Sequence, residues 1–399
     1  MPKVAQSFSS KLRSWIAPYN IKEEVFTTVG KVVYCNVCFK HIGSDRKSQI
    51  DAHCTTEKYT GKKTPNESTL RKTYLPDAFN DIMKRIALEL KGKYFYIVVD
   101  ETTDNRGCYI ANLLIGELNP NSSNKPFLVA SQELEKTNHT TVARFINDNL
   151  KRLFGEYRFE DKLLLMTSDA APYMVKAFKS LQIFYSNVIH VTCIVHGLNR
   201  IAEKVRELCP AVNILKYYEC KTTANPVVTR WGTWLLAAIF YSDNFVKFKV
   251  VMQNLEEDAA NVTKVKALLS ETAIVKELAF IKSYIEFLPD IMEALETRGM
   301  TLKDQLEKLS FVEEKLKIVP GKEGKVFQQK FEYVFGNNSG LKQMKNFDIG
   351  NIPSDMDPFR LSCYTYAPLT SVEVERSFSI FKNILDDRRH SFVDKNLEF

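Results

Sequence analysis

The chain has 399 residues, 45% of them hydrophobic and 26% charged, which describes a globular protein with room for a sizeable core and excludes a disordered one. It holds no apolar run of the ~18 residues that a membrane span needs, and Met1 to Ser10 lacks the apolar stretch of a secretory leader, so no membrane partner is expected. The net charge of +7 is uneven: residues 1–75 carry 13 Lys+Arg against 6 Asp+Glu, while the remainder balances at 42 each. A basic head on a neutral body is the charge pattern of a nucleic-acid-binding module, with a solvated basic tail as the plain alternative.

In chain order, Phe26 to Tyr34 alternates like a strand and runs into Tyr34-Cys35-Asn36-Val37-Cys38. Phe39-Lys40-His41-Ile42 continues beyond it, and Ser48 to His53 reads as the start of a helix. Two thiols separated by two residues, followed after fourteen intervening residues by His53, form the donor pattern of a tetrahedral Zn²⁺ site. Cys35, Cys38 and His53 are three candidate ligands. Cys54 is the candidate fourth, although neighbours on a helix point about 100° apart. His41 reads as an ordinary strand residue. Lys40, Arg46 and Lys47 are the head's candidate DNA contacts. The eight cysteines are scattered through a large chain, which suits a reducing compartment with a local metal site better than a disulfide framework.

Residues 60–68 form a hydrophilic linker, and Phe79, Ile82, Met83, Ile86, Ala87 and Leu90 give residues 78–90 helical spacing. Strands are then expected at 93–100, 108–117, 126–134, 162–167 and 187–192, with helices at 140–153, 171–183 and 194–207. Three strands without intervening helices make a meander, and the later crossovers make parallel strands. This is the order of a ribonuclease H-like sheet, in which the first and fourth strands lie side by side. Tyr94 to Val99 ends in Asp100, and Leu163 to Ser168 ends in Asp169. Acids at strand ends, joined by a helical Glu375, are how a fold gathers carboxylates around Mg²⁺ for phosphoryl transfer. Glu101 and Asp104 read as rim and turn residues. Residues 205–365 are mostly helical in pattern, with 321–355 richer in Gly, Asn and Lys and read as a connection. A last helix, 368–386, carries Phe378, Ile380, Phe381 and Ile384 as an apolar stripe. Glu373 and Glu375 are two apart and face different directions.

These residues resemble a family. Val99-Asp100-Glu101-Thr102-Thr103-Asp104, Ser168-Asp169-Ala170-Ala171-Pro172-Tyr173-Met174-Val175, Cys193-Ile194-Val195-His196, Thr229-Arg230-Trp231 and Ser371 to Ser379 look, in order and spacing over most of 70–399, like a hAT-superfamily transposase. The head resembles a BED-type zinc finger of the CGG-triplet-repeat-binding-protein-like form. The resemblance implies an α/β protein in which a small ββα zinc finger precedes a ribonuclease H-like core with a large all-α insertion. Residues 1–64 would be the finger, 65–92 linker and helix, 93–207 the core, 208–365 the insertion, and 366–399 the last core helix with the start of a dimerisation region. It implies that Asp100, Asp169 and Glu375 bind Mg²⁺ (or Mn²⁺) and cleave and transfer DNA strands. Trp231 and Arg230 would lie near DNA, and Cys193 with His196 would support the site, sharing one helix face. On residues alone Cys193, His196 and Trp231 could equally be core groups. Double-stranded DNA, a homodimer or higher homo-oligomer, and a nuclear location complete the expectation. Three departures point to the alternative of a catalytically inactive, domesticated DNA-binding and dimerising protein. Tyr59 stands where the finger pattern has a second His, the segment after the finger is short, and the chain stops soon after Glu375.

Overall fold

A computed structural model describes residues 8–20, 25–29, 32–56, 67–104, 107–215, 232–255, 260–348, 350–354 and 356–384. Tyr59, Arg230 and Trp231 lie outside these residues. The described chain is mixed α/β and divides into two units, Met1–Ala78 and Phe79–Phe399. No helix among the described residues is long and apolar enough to cross a membrane.

The first unit holds helix α1 (Phe8–Ile16), strands β1 (Phe26–Val29), β2 (Val32–Cys35) and β3 (Lys40–Ile42), and helix α2 (Lys47–Cys54). The three strands form one antiparallel sheet in the order β1-β2-β3. What the alternation from Phe26 to Tyr34 suggests is one strand is therefore two, because Val29 pairs with Val32 across a reversal. The expected ββα unit is a three-stranded sheet with a helix on either side of it in sequence. Helix α1 was hidden by the polar start of the chain. Leu12 and Ile16, one helical turn apart, are its buried residues and join Phe26, Val33, Cys35, Ile42 and Ile50 in a small core.

The second unit is built on a five-stranded mixed sheet. Its strands are β4 (Phe95–Thr103), β5 (Tyr109–Glu117), β6 (Phe127–Leu134), β7 (Leu163–Ser168) and β8 (Ile189–Thr192), in the spatial order β6-β5-β4-β7-β8. Strands β4, β5 and β6 form an antiparallel meander, and β7 and β8 join parallel to β4. The first and fourth strands of this sheet are thus neighbours. Helices α3 (Leu75–Leu90), α4 (His139–Phe154), α5 (Pro172–Leu181) and α6 (Ile194–Leu208) match the spans read from periodicity to within a few residues.

Strand β4 is covered on both faces. Phe95, Ile97 and Val99 pack into one core with α4 and α5, while Tyr96 and Val98 pack into another with α6 and the helices that follow. Burial on both faces explains why these strands read as nearly unbroken apolar runs rather than as alternation. Among the described residues, six helices run from Pro210–Leu215 to Phe287–Leu295 before α7 (Leu302–Lys317). The connection expected at 321–355 is instead largely helical, as α8 (Gly321–Gly336) and α9 (Ser339–Asp348). Its Gly, Asn and Lys content masked Phe327, Phe331 and Phe335, which recur every four residues and are buried. The final helix, α10 (Val372–Ile384), turns Val372, Val374, Ser377 and Phe378 inward. Of the stripe expected, Phe378 is buried, whereas Ile380 is 60% exposed and so does not belong to the inward face.

Candidate functional site

In the first unit the sheet hairpin and α2 bring Cys35, Cys38 and His53 together, with ligand atoms all within 4.8 Å of one another. Cys38 Sγ lies 3.2 Å from His53 Nε2. Burial and the neighbouring Cys35 thiol raise the Cys38 pKa, and burial lowers that of His53. A neutral imidazole is the form a metal needs, and a cation would relieve the two crowded sulfurs. Two thiols and an imidazole are a donor set that fits Zn²⁺. Cys54 is not part of the group. It follows His53 on α2, so its side chain leaves the helix in another direction and packs against the unit's small core. Lys40, Arg46 and Lys47 are all exposed, the first on β3 and the others at the start of α2. Phe39 follows the knuckle with φ +53°, and its ring is 76% exposed. That left-handed backbone is rare for a bulky residue.

The second unit gathers Asp100, His196 and Glu375, again with ligand atoms within 4.8 Å of one another. Strand β4 delivers Asp100 on the same face as Tyr96 and Val98. Its carboxylate is 5% exposed, its Oδ1 accepts from Glu101 N at 2.8 Å, and its Oδ2 is buried without a hydrogen-bond partner. Burial pushes the Asp100 pKa well above the carboxylate range. Glu375 and Asp169 push the same way, and His196 and the Glu101 N–H oppose them.

His196 sits in the first turn of α6. Its Nε2 is 3.6 Å from Glu375 Oε1, and its Nδ1 is 3.1 Å from Ser371 Oγ. Burial alone would depress the imidazole pKa, but Cys193, Asp100 and Glu375 lift it to about 9. Cys193 and His196 do share a face, and Ser371 joins both, since its N–H donates to Cys193 Sγ at 3.2 Å. The segment before α10 is pinned at several points. Thr167 Oγ1 donates to Pro368 O, Ile194 N to Leu369 O, and Gln305 bonds both Ala367 O and Leu369 N. This pinning sets where Glu375 reaches the end of β4. Glu373 turns elsewhere, as the two-residue spacing requires, and pairs with Arg298 at 2.7 Å and with Arg376.

Asp169 does not enter the group. Its Oδ1 accepts from Ala171 N at 3.1 Å, a local turn that leads into α5 and holds the carboxylate against its own backbone. It remains near enough to raise the pKa of Asp100 and that of Glu101 on the opposite face. Glu101 is more than a rim residue, because its Oε1 accepts from Tyr173 Oη at 2.6 Å. Asp104 is a turn residue as expected, since its carboxylate accepts from Cys108 N at 2.9 Å between β4 and β5.

Sequence reasoning missed Gln305, Ser371 and Asn112. Asn112 had a visible signal, a lone amide inside the apolar run Tyr109 to Gly116. The orphaned Asp100 Oδ2, together with a second carboxylate and an imidazole, fits a divalent cation of the Mg²⁺ or Mn²⁺ kind. No protein-family model matches the chain, and no curated protein matches it by sequence.

Proposed function

We propose that the chain is a hAT-like DNA-binding protein whose second unit carries out Mg²⁺- or Mn²⁺-dependent cleavage and transfer of DNA strands on a ribonuclease H-like core. The observation that carries this reading is the meeting of Asp100, from a central strand, with Glu375, from the last helix, around a buried and unpartnered carboxylate oxygen. Also in support, the first and fourth strands of the sheet pair in parallel, which brings Asp169 to the same end of the sheet as Asp100.

A divalent cation bound there supplies positive charge for the attacking and leaving oxygens of a phosphodiester. Asp100 and Glu375 would hold it, with Asp169 at its edge. His196, in the same group, would join them as a neutral imidazole ligand. Ser371 and Cys193 fix the orientation of that ring. The helical region 208–365 corresponds to the insertion in this reading. In the first unit, Cys35, Cys38 and His53 would hold Zn²⁺ and so present Lys40, Arg46 and Lys47 to duplex DNA. Arg230 and Trp231 are assigned to DNA as well, the latter by stacking on an unpaired base. A nuclear homo-oligomer follows from the same reading.

The position of Asp169 outside the gathered group favours a second reading, a DNA-binding derivative that no longer cleaves. The two separate on labelled duplex carrying the element's own end, incubated with Mg²⁺ or Mn²⁺. Nicking by the wild type that is lost in Asp169→Ala and on chelation is the expected result. Absence of nicking with end binding retained in both proteins would establish the derivative instead.

A further inference from the structure

Asn112 is fully buried in β5, directly opposite Asp100 in the antiparallel register. Paired residues of this kind share a face of the sheet with Cβ atoms about 5 Å apart. The Asn112 Nδ2 donates to Ser377 Oγ at 2.7 Å, and the hydrogen of that hydroxyl goes on to Val374 O at 2.6 Å. The serine is therefore the acceptor, and it fixes which end of the amide faces α10. The other end, Asn112 Oδ1, is buried with no hydrogen-bond partner, as is Asp100 Oδ2.

Two orphaned acceptors on adjacent register positions of one sheet face are costly in a dry interior. As an ionised carboxylate Asp100 offers only lone pairs, so in that form it cannot serve the amide oxygen. Amide carbonyl oxygens are ordinary ligands for hard divalent cations.

We propose that Asn112 Oδ1 is a ligand of the cation held by Asp100 and Glu375, oriented for that role by Ser377. The proposal rests on the reading of this cluster as a divalent-cation site and adds to it a neutral ligand from the neighbouring strand. Ser377 thus has a positioning role, and α10 contributes twice, through Glu375 and through the amide that Ser377 aims.

The test is Mn²⁺ binding to the full chain, measured by electron paramagnetic resonance of free Mn²⁺ and by calorimetry, with no DNA present. Asp100→Asn should abolish one binding site. Asn112→Leu should weaken that same site by about tenfold or more. Asn112→Asp, which keeps an oxygen in place, should bind Mn²⁺ as tightly as the wild type or more tightly. If Asp100→Asn removes the site but Asn112→Leu binds like the wild type, the amide is no ligand and only this inference falls. If Asn112→Asp binds more weakly than the wild type, an oxygen at this position does not hold the cation and the inference falls again. If the wild type and Asp100→Asn bind alike, the cation reading itself fails and takes the inference with it. Should Asn112→Leu not fold, the isosteric Asn112→Asp decides alone, by the sign of its change in affinity.

Discussion

At the scale of single residues, a cluster of polar groups lies in the interior of the second unit. Asp100, Asn112, Thr167, Ser371 and Ser377 are all buried, and they line the ground between β4, β5, β7, α6 and α10. Apolar residues there would pack as well but would leave the acids unsupported. Close approach is the second residue-scale device. Gly340 in α9 lies against β8, and a Cβ added there would stand 1.9 Å from the backbone oxygen of His190. Backbone cannot rotate aside as a side chain can. Gly340→Ala should therefore destabilise the protein by about 2–3 kcal/mol, as overpacking of a tight core does, read from the shift in denaturant midpoint. An unchanged midpoint would show that α9 can lift from β8 at no cost.

At the scale of elements, the helices that follow the sheet hold it together at points the sheet cannot reach itself. Asn338, just before α9, exchanges two hydrogen bonds with Thr192 at the end of β8, and so covers part of an edge strand. Gln305 in α7 does the same for the segment that leads into α10, donating to Ala367 O and accepting from Leu369 N, each at 3.0 Å. Gln305 is buried, so an apolar replacement would strand two backbone groups away from water. We expect Gln305→Leu to cost about 2–4 kcal/mol of stability at nearly conserved volume. Gln305→Glu, measured at neutral pH, should recover less than half of that because it restores only the acceptor. A loss below about 1 kcal/mol would mean that the segment finds other partners.

At the scale of the whole second unit, a sheet covered on both faces carries titratable groups that folding holds in one protonation state. His190 on β8 stacks on Phe178, with ring centroids 4.1 Å apart, and its Nε2 lies 3.0 Å from Ser168 Oγ. Burial, with Lys179 adding to it, lowers its pKa to about 3. The unfolded chain binds this proton near pH 6.5 and the fold does not, so the stabilising contribution is complete above pH 6.5 and drains as pH falls toward 3. By pH 5 the loss should be about 1–2 kcal/mol. Urea unfolding at pH 7 and pH 5 checks this, and His190→Gln should lose less stability over that interval than the wild type. An equal loss in both proteins would assign the acid sensitivity to other groups.

Much was legible in the sequence because it is local. The apolar runs at Phe95 to Val99 and Leu163 to Met166, the helical spacing of Val142, Phe145, Ile146, Leu150 and Leu153, and the two-residue gap between Cys35 and Cys38 each encode burial or reach within one element. They sufficed for most strand and helix spans and for three sulfur and nitrogen ligands that do meet, whereas the strand order and the meeting of Asp100 with Glu375 were expected from the resemblance. Periodicity failed where polar composition hid a buried face, as in α8, or where one alternating stretch held a reversal, as in β1 and β2. Tertiary structure alone decided that Asp169 bonds its own turn while His196 takes its place beside Asp100, and that Asn112 faces the same ground. Those meetings join residues far apart in the chain. They depend on strand register, on the depth at which each helix docks, and on which local hydrogen bond a side chain already makes, and none of these leaves a repeat in the sequence.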